Sequence, residues 1–90
     1  MHPHKITDFH WDEANERSAT KHGYSRQQIE SAFNSRTRIF RGKGEAYIAL
    51  GQDMDRNYLE MAFENLGNGC IRVFHCDTMK PAHRRQFERK

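Results

Sequence analysis

The sequence predicts an α+β domain: two N-terminal helices and a C-terminal helix packed on an antiparallel sheet, in the order β-α-α-β-β-β-β-α. Three observations predict it. Between Asp12 and Ser35, capping residues bracket two segments with helical character. From Arg36 to Cys76, short runs of alternating apolar and polar residues are separated by turns rich in Gly, Asn and Asp. Pro81 then opens a cation-rich segment, in the first-turn position where its missing N–H is tolerated.

Taken in order, Lys5 to Trp11 (KITDFHW) alternates. Ile6, Asp8 and His10 fall on one side and Thr7, Phe9 and Trp11 on the other, as in a short edge strand. Asp12 opens a helix (DEANERSATKH) that Gly23 closes. Its largest buriable groups are Ala14, Ala19 and the stems of Arg17 and Lys21, so it lies on the surface of the sheet. Ser25 to Gln28 fits a capping box, and Ile29, Ala32 and Phe33 then form an apolar stripe.

The remaining strands are expected at Thr37–Phe40, Ala46–Leu50, Tyr58–Glu64 and Cys70–Cys76. In the third of these, Leu59, Met61 and Phe63 face the core while Tyr58, Glu60, Ala62 and Glu64 face away. In the last, strict alternation puts Ile71, Val73 and His75 on one face and Arg72, Phe74 and Cys76 on the other. Phe87 and Met79 dock the final helix. Ninety residues without repeats or linkers make one domain, 1–90, with a thin core.

Charge separates the tail from the rest. The net charge is +3, yet Lys80 to Lys90 alone carries five Lys/Arg against one Glu. The basic excess therefore lies at the C-terminus, which favours a polyanion or an acidic protein as its ligand. A solvated helix end complementing its own dipole explains the same charges. The two cysteines, Cys70 and Cys76, lie six positions apart in one strand. That is about 20 Å, beyond disulfide reach. The sequence shows no signal peptide and no apolar run long enough to span a bilayer, so a cytoplasmic protein with free thiols is expected. His2 and His4 form an H-x-H pair without a third ligand, and Asp53 and Asp55 read as turn residues; neither pair makes a metal site. No metal or cofactor is expected.

Several segments carry a family resemblance. FHWDEAN followed by KHGYS at Lys21–Ser25 is similar to an F-x-W-D-x-x-N…K-H-G-V-S opening. QIESAF is similar to an E-I-E-x-x-F helix, and RGKGEAYIALGQDMDRNYLEMAF to a strand pair. IRVFHCDTMKPAHRRQF stands where the ending commonly reads I-R-x-I-S-A-R-x-M-x-x-x-E-R-R-x-Y. Together these resemble the BrnT family, bacterial ribonuclease toxins of RelE-like fold from type II toxin–antitoxin pairs. The resemblance covers most of the chain. It implies a cytoplasmic RNA-cleaving toxin, an RNA substrate, and a cognate ribbon-helix-helix antitoxin that contacts operator DNA on behalf of the pair. The chain departs from the pattern in two places: His75-Cys76-Asp77 stands in place of Ser-Ala-Arg, and His83 in place of Glu.

A metal-independent ribonuclease needs a base for the 2′-hydroxyl, an acid for the leaving 5′-oxygen and cations for the transition-state phosphate. Histidine suits the first two roles and arginine the third. His75 and His83 are the candidate acid and base, and Arg84 and Arg85 the candidate clamps that the resemblance carries over. Lys21, His22, Arg72 and Lys80 are candidate RNA- or phosphate-binding residues. Each has a structural alternative: a strand-end or surface histidine, or a cation facing an acidic partner. Asp77 is positioned by sequence to pair with Arg84 or Lys80. The acid at Asp77 supports a second reading, a catalytically weakened toxin-fold module that binds the antitoxin and serves as co-repressor. A third is a general nucleic-acid-binding domain with a basic strip of Arg36, Arg38, Phe40, Arg41 and Lys43.

Overall fold

The computed structural model describes residues 5–89; the His2–His4 pair and Lys90 lie outside them. Asp12 starts the first helix by accepting the Asn15 backbone N–H (3.0 Å), while the Asn15 side chain accepts the Asp12 N–H (2.7 Å). This reciprocal capping box satisfies two donors that a helix end leaves open, and the helix, α1, runs Glu13–Thr20. The Asn15 backbone N–H and, next to it, the Arg72 guanidinium hold the Asp12 carboxyl below the usual carboxylate range. Gly23, at φ +103°, turns the chain in the left-handed region soon after α1. Ser25 and Gln28 make the second capping box as expected, opening α2 (Arg26–Phe33).

The strands are β1 (Asp8–Phe9), β2 (Thr37–Arg41), β3 (Tyr47–Gln52), β4 (Tyr58–Gly67) and β5 (Cys70–Thr78); α3 is Pro81–Glu88. They form one sheet in the order β1-β5-β4-β3-β2. The expected element order holds, but the sheet is mixed: β1 pairs parallel with β5 through Asp8–Cys70 and Phe9–Ile71, while the other neighbours are antiparallel. Two helices and three strands separate β1 from β5 in sequence, so no hairpin fixes their relative direction, and nothing in KITDFHW distinguishes the two directions.

The helices also divide between the two faces. Ala19, Ile29 and Ala32 of α1 and α2 pack on Ala49, Leu59, Met61, Phe63, Ile71, Val73 and Cys76. Leu50, Met79 and Phe87 form a second cluster with Phe40, Ile48 and Tyr58 on the opposite face, beneath α3. Tyr58, Glu60 and Ala62 therefore face α3 rather than open solvent, and Glu60 is 7% exposed. Ala19 is buried as expected, but Ala14 is exposed and Asn15 takes its place in the interior. Gly51 lies where α2 crosses β3: a Cβ there would sit 2.6 Å from the Ala32 carbonyl oxygen. Gly51→Ala is expected to lose about 1–3 kcal/mol of stability through forced separation of α2 from the sheet, measurable by urea unfolding.

One irregularity decides the orientation of β5. Ala62 pairs with His75 but Phe63 pairs with Val73, so Phe74 is an extra residue in the ladder. This bulge flips the alternation. Cys76, not His75, shares the core face with Ile71 and Val73, and His75 and Asp77 turn to the α3 face. Strict alternation gave the opposite assignment because a bulge of one non-glycine residue leaves no mark in composition. Beyond β1, α1 covers the edge of β5: Asn15 donates to the Val73 carbonyl (2.8 Å) and Ser18 to that of Phe74. A sheet edge covered by a helix cannot recruit another strand.

Candidate functional site

Register brings Glu60 and Asp77 opposite each other on adjoining strands, on the α3 face. Like charges directly across a ladder repel, and each carboxylate has its own basic partners. The Glu60 carboxylate accepts from His83 Nδ1 at 2.7 Å and from the Lys80 backbone N–H at 2.9 Å, and Lys80 Nζ lies 3.8 Å away. Asp77 faces His22 Nδ1 at 3.9 Å, and the His22 and His75 rings meet edge to face at 5.6 Å. Two histidine–carboxylate pairs thus stand side by side, with His75 joining the second.

The fold explains each placement. Pro81 at the start of α3 fixes the helix where β5 ends, so Lys80 and His83 fall one turn apart above β4. Phe87, a further turn on, is buried and anchors the helix. Lys80 supplies no side-chain cap to α3; the Glu60 carboxylate takes that role. An acid at a helix N-terminus is favoured by the dipole. Phe40 packs against the His83 ring at 5.9 Å. Glu60 holds Nδ1, leaving Nε2 as the ring nitrogen able to exchange a proton with a ligand.

The expected site residues separate into two groups. His22, His75, Lys80 and His83 come together. Lys21, next to His22, is exposed at the end of α1. The arginines do not converge. Arg84 donates from Nε to Glu88 at 2.9 Å and stacks 3.4 Å from the Tyr58 ring centroid; the Glu88 hydrogen bond raises its pKa. Arg85 is two residues from His83 and so on a different side of α3. Arg72 ties the start of α1 to β4 through Asp12 (3.5 Å) and Glu64 (3.8 Å). Asp77 pairs with neither Arg84 nor Lys80; the bulge aims it toward His22 instead.

Three further side chains are set aside. Burial, and after it the nearby carboxylate of Asp77, pushes the Cys76 thiol up to about 12, so it is no nucleophile at neutral pH. Cys70 and Cys76 are both free thiols. Asp53 accepts the backbone N–H groups of Asp55 and Asn57, a turn-shaping role as expected. Among the described residues no group of His, Cys, Asp and Glu has the geometry to hold a metal ion, and no helix is long and apolar enough to cross a membrane.

No protein-family model matches this chain, and no curated protein matches it significantly. The geometry therefore carries the chemical argument alone.

That geometry offers acid–base chemistry with few cations. Glu60 was the residue that alternation hid: within YLEMAFE it reads as solvent-facing. A signal was present in the neighbouring strand, where Tyr47–Leu50 (YIAL) is apolar on both faces. Such a run marks a sheet covered on both sides, and an acid in the centre of such a sheet is buried.

Proposed function

We propose that the chain is a metal-independent ribonuclease toxin of a type II toxin–antitoxin pair, RelE-like in topology and BrnT-like in family, neutralised by a DNA-binding ribbon-helix-helix antitoxin. The observation that carries the reading is the 2.7 Å contact between His83 and the buried Glu60, beside His22, His75 and Asp77. His83 takes the proton of the 2′-hydroxyl. The 2′-oxygen then forms a bond to phosphorus as the bond from phosphorus to the 5′-oxygen breaks. His75 gives its proton to that leaving oxygen, and the product is a cyclic phosphate. Lys80 and Lys21 supply positive charge at the phosphate. The test is direct: the purified protein should cleave RNA in EDTA, and expression without antitoxin should arrest growth. Intact RNA together with normal growth would sink this reading.

A specific observation favours a second reading, the catalytically weakened module that binds the antitoxin and acts as co-repressor. Two of the arginines suited to grip phosphate are already paired, Arg84 with Glu88 and Arg72 with Asp12 and Glu64, and Arg85 lies on another side of α3. Under this reading RNA stays intact while the chain co-purifies with the product of an adjacent small gene.

A further inference from the structure

We propose that the free edge of β2 is a docking site for an extended acidic segment of a partner polypeptide, which adds to the sheet as a sixth strand and sets an apolar side chain against the exposed Ile39. This goes beyond the catalytic reading and does not depend on it.

Among the described residues β2 has a strand on one side only. Its outer backbone N–H and C=O groups form an open ladder, the donor–acceptor pattern that a second polypeptide strand matches. The opposite edge of the sheet is treated differently. There β1 and α1 cover β5, with Asn15 and Ser18 bonding its carbonyls. One edge is closed by two elements of the chain, and among the described residues the other is left open.

A groove of about 150 Å³ crosses this end of the sheet from Ile6, before β1, and Ile71 of β5 through Phe63 and Tyr47 to Ile39 of β2. It lies on the α1–α2 face, because Ile39 pairs with Ala49 and Phe63 belongs to that core. Ile39 of β2 is 40% exposed at its mouth. The volume suits one or two aliphatic side chains. A strand added to β2 would alternate its side chains, so every second one would turn toward this face.

Charge identifies the occupant. Arg36, Arg38, Arg41 and Lys43 line β2 and the turn that follows. None of the three arginines forms an ion pair among the described residues. Arg36 and Arg38 donate to the backbone carbonyls of Phe87 and Arg89, and Arg41 lies over the Tyr47 ring at 5.4 Å. A second copy of β2 would set arginines against arginines, which like-charge repulsion opposes. An acidic strand meets the opposite sign. The exposed Ile39 and a ladder that alternates N–H donors with C=O acceptors favour a polypeptide strand over a nucleic acid, whose phosphodiester has no donors to meet the carbonyls.

The test uses the full chain with isotopic labelling and two capped six-residue peptides, one alternating Glu with Leu and one alternating Lys with Leu. The acidic peptide should shift and protect the amides of Thr37–Arg41 and shift the methyl signals of Ile39. Its binding should weaken with salt. R41E/K43E, both at exposed positions, should weaken acidic-peptide binding about tenfold and strengthen that of the basic peptide, a change of about 1.4 kcal/mol. The proposal is overturned if the acidic peptide leaves the β2 amides unmoved, or if both peptides bind equally. It is also overturned if single-stranded RNA displaces the acidic peptide from those amides, or if the protein alone self-associates through them.

Discussion

Asn15→Ala should destabilise the domain by about 2–4 kcal/mol, more than the loss of an ordinary helix cap. Asn15 is 1% exposed and its side chain makes three hydrogen bonds. It accepts the Asp12 N–H, donates to the His10 carbonyl and donates to the Val73 carbonyl, at 2.7, 3.1 and 2.8 Å. One residue therefore joins the start of α1, the end of the β1 segment and the exposed flank of β5. Truncation leaves two backbone carbonyls and one N–H unpaired at a site where the Val73 carbonyl is buried. Each orphaned buried group costs about 1–3 kcal/mol, less whatever water recovers. A domain of this size has a total of roughly 5–10 kcal/mol, so the variant should lose much of its margin. Urea unfolding measures the change, and the neighbouring Ala14→Ser, at an exposed position, should be nearly neutral. Asn15→Asp separates the roles: it keeps the acceptor for Asp12 but sets a carboxylate against the Val73 carbonyl, and should be at least as damaging as Ala. A loss no larger than about 1 kcal/mol for Asn15→Ala would mean that only the cap matters.

Asn15 also shows what local sequence carries and what it omits. Both capping boxes form and all three helices exist, because caps and apolar spacing are local statements about residues within one turn. The strands of the β2–β5 meander were readable for the same reason, with three of the four starts as expected and the other ends displaced by one to three residues. Three things were not readable. The parallel pairing of β1 with β5 joins segments separated by two helices and three strands, and no residue in β1 marks it. The bulge at Phe74 is visible only once β4 is laid beside β5. The burial of Glu60 follows from α3 crossing to the second face, a long-range event. These last two misplacements explain the mixed outcome at the site. His75 and His83 were chosen by residue type. Their partners, Asp77 with His22 and Glu60 with His83, were settled by register and by helix crossing. Arg84 and Arg85 were carried over from a linear motif, and the motif contained no information about Glu88 or Tyr58 nearby.

If the chain cuts RNA, the order of losses among variants should follow pairing rather than charge. His83→Ala should lower the cleavage rate by about 10²–10⁴, the usual worth of a positioned acid or base. Glu60→Gln keeps an oxygen for the Lys80 N–H and for His83 Nδ1, so the fold and the ring position survive. What it removes is the negative charge that stabilises the imidazolium once His83 has taken a proton. A loss of about tenfold in rate, with little change in KM, is the expected result, because the interaction strengthens only as the transition state forms. Arg84→Ala should cost less than either, since that guanidinium is already engaged by Glu88 and stacked on Tyr58. Single-turnover cleavage of a defined RNA in EDTA, with circular dichroism to confirm folding, ranks the three. The reverse order, with Arg84 dominant and His83 dispensable, would mean that phosphate binding rather than proton transfer limits the reaction. It would move the site from the His83–Glu60 pair to the exposed side of α3. The same set of variants also separates the two functional readings. A toxin that has kept its chemistry loses it with His83, whereas a module that only holds a partner has no cleavage to lose and should bind that partner equally well with His83 or Ala at the position.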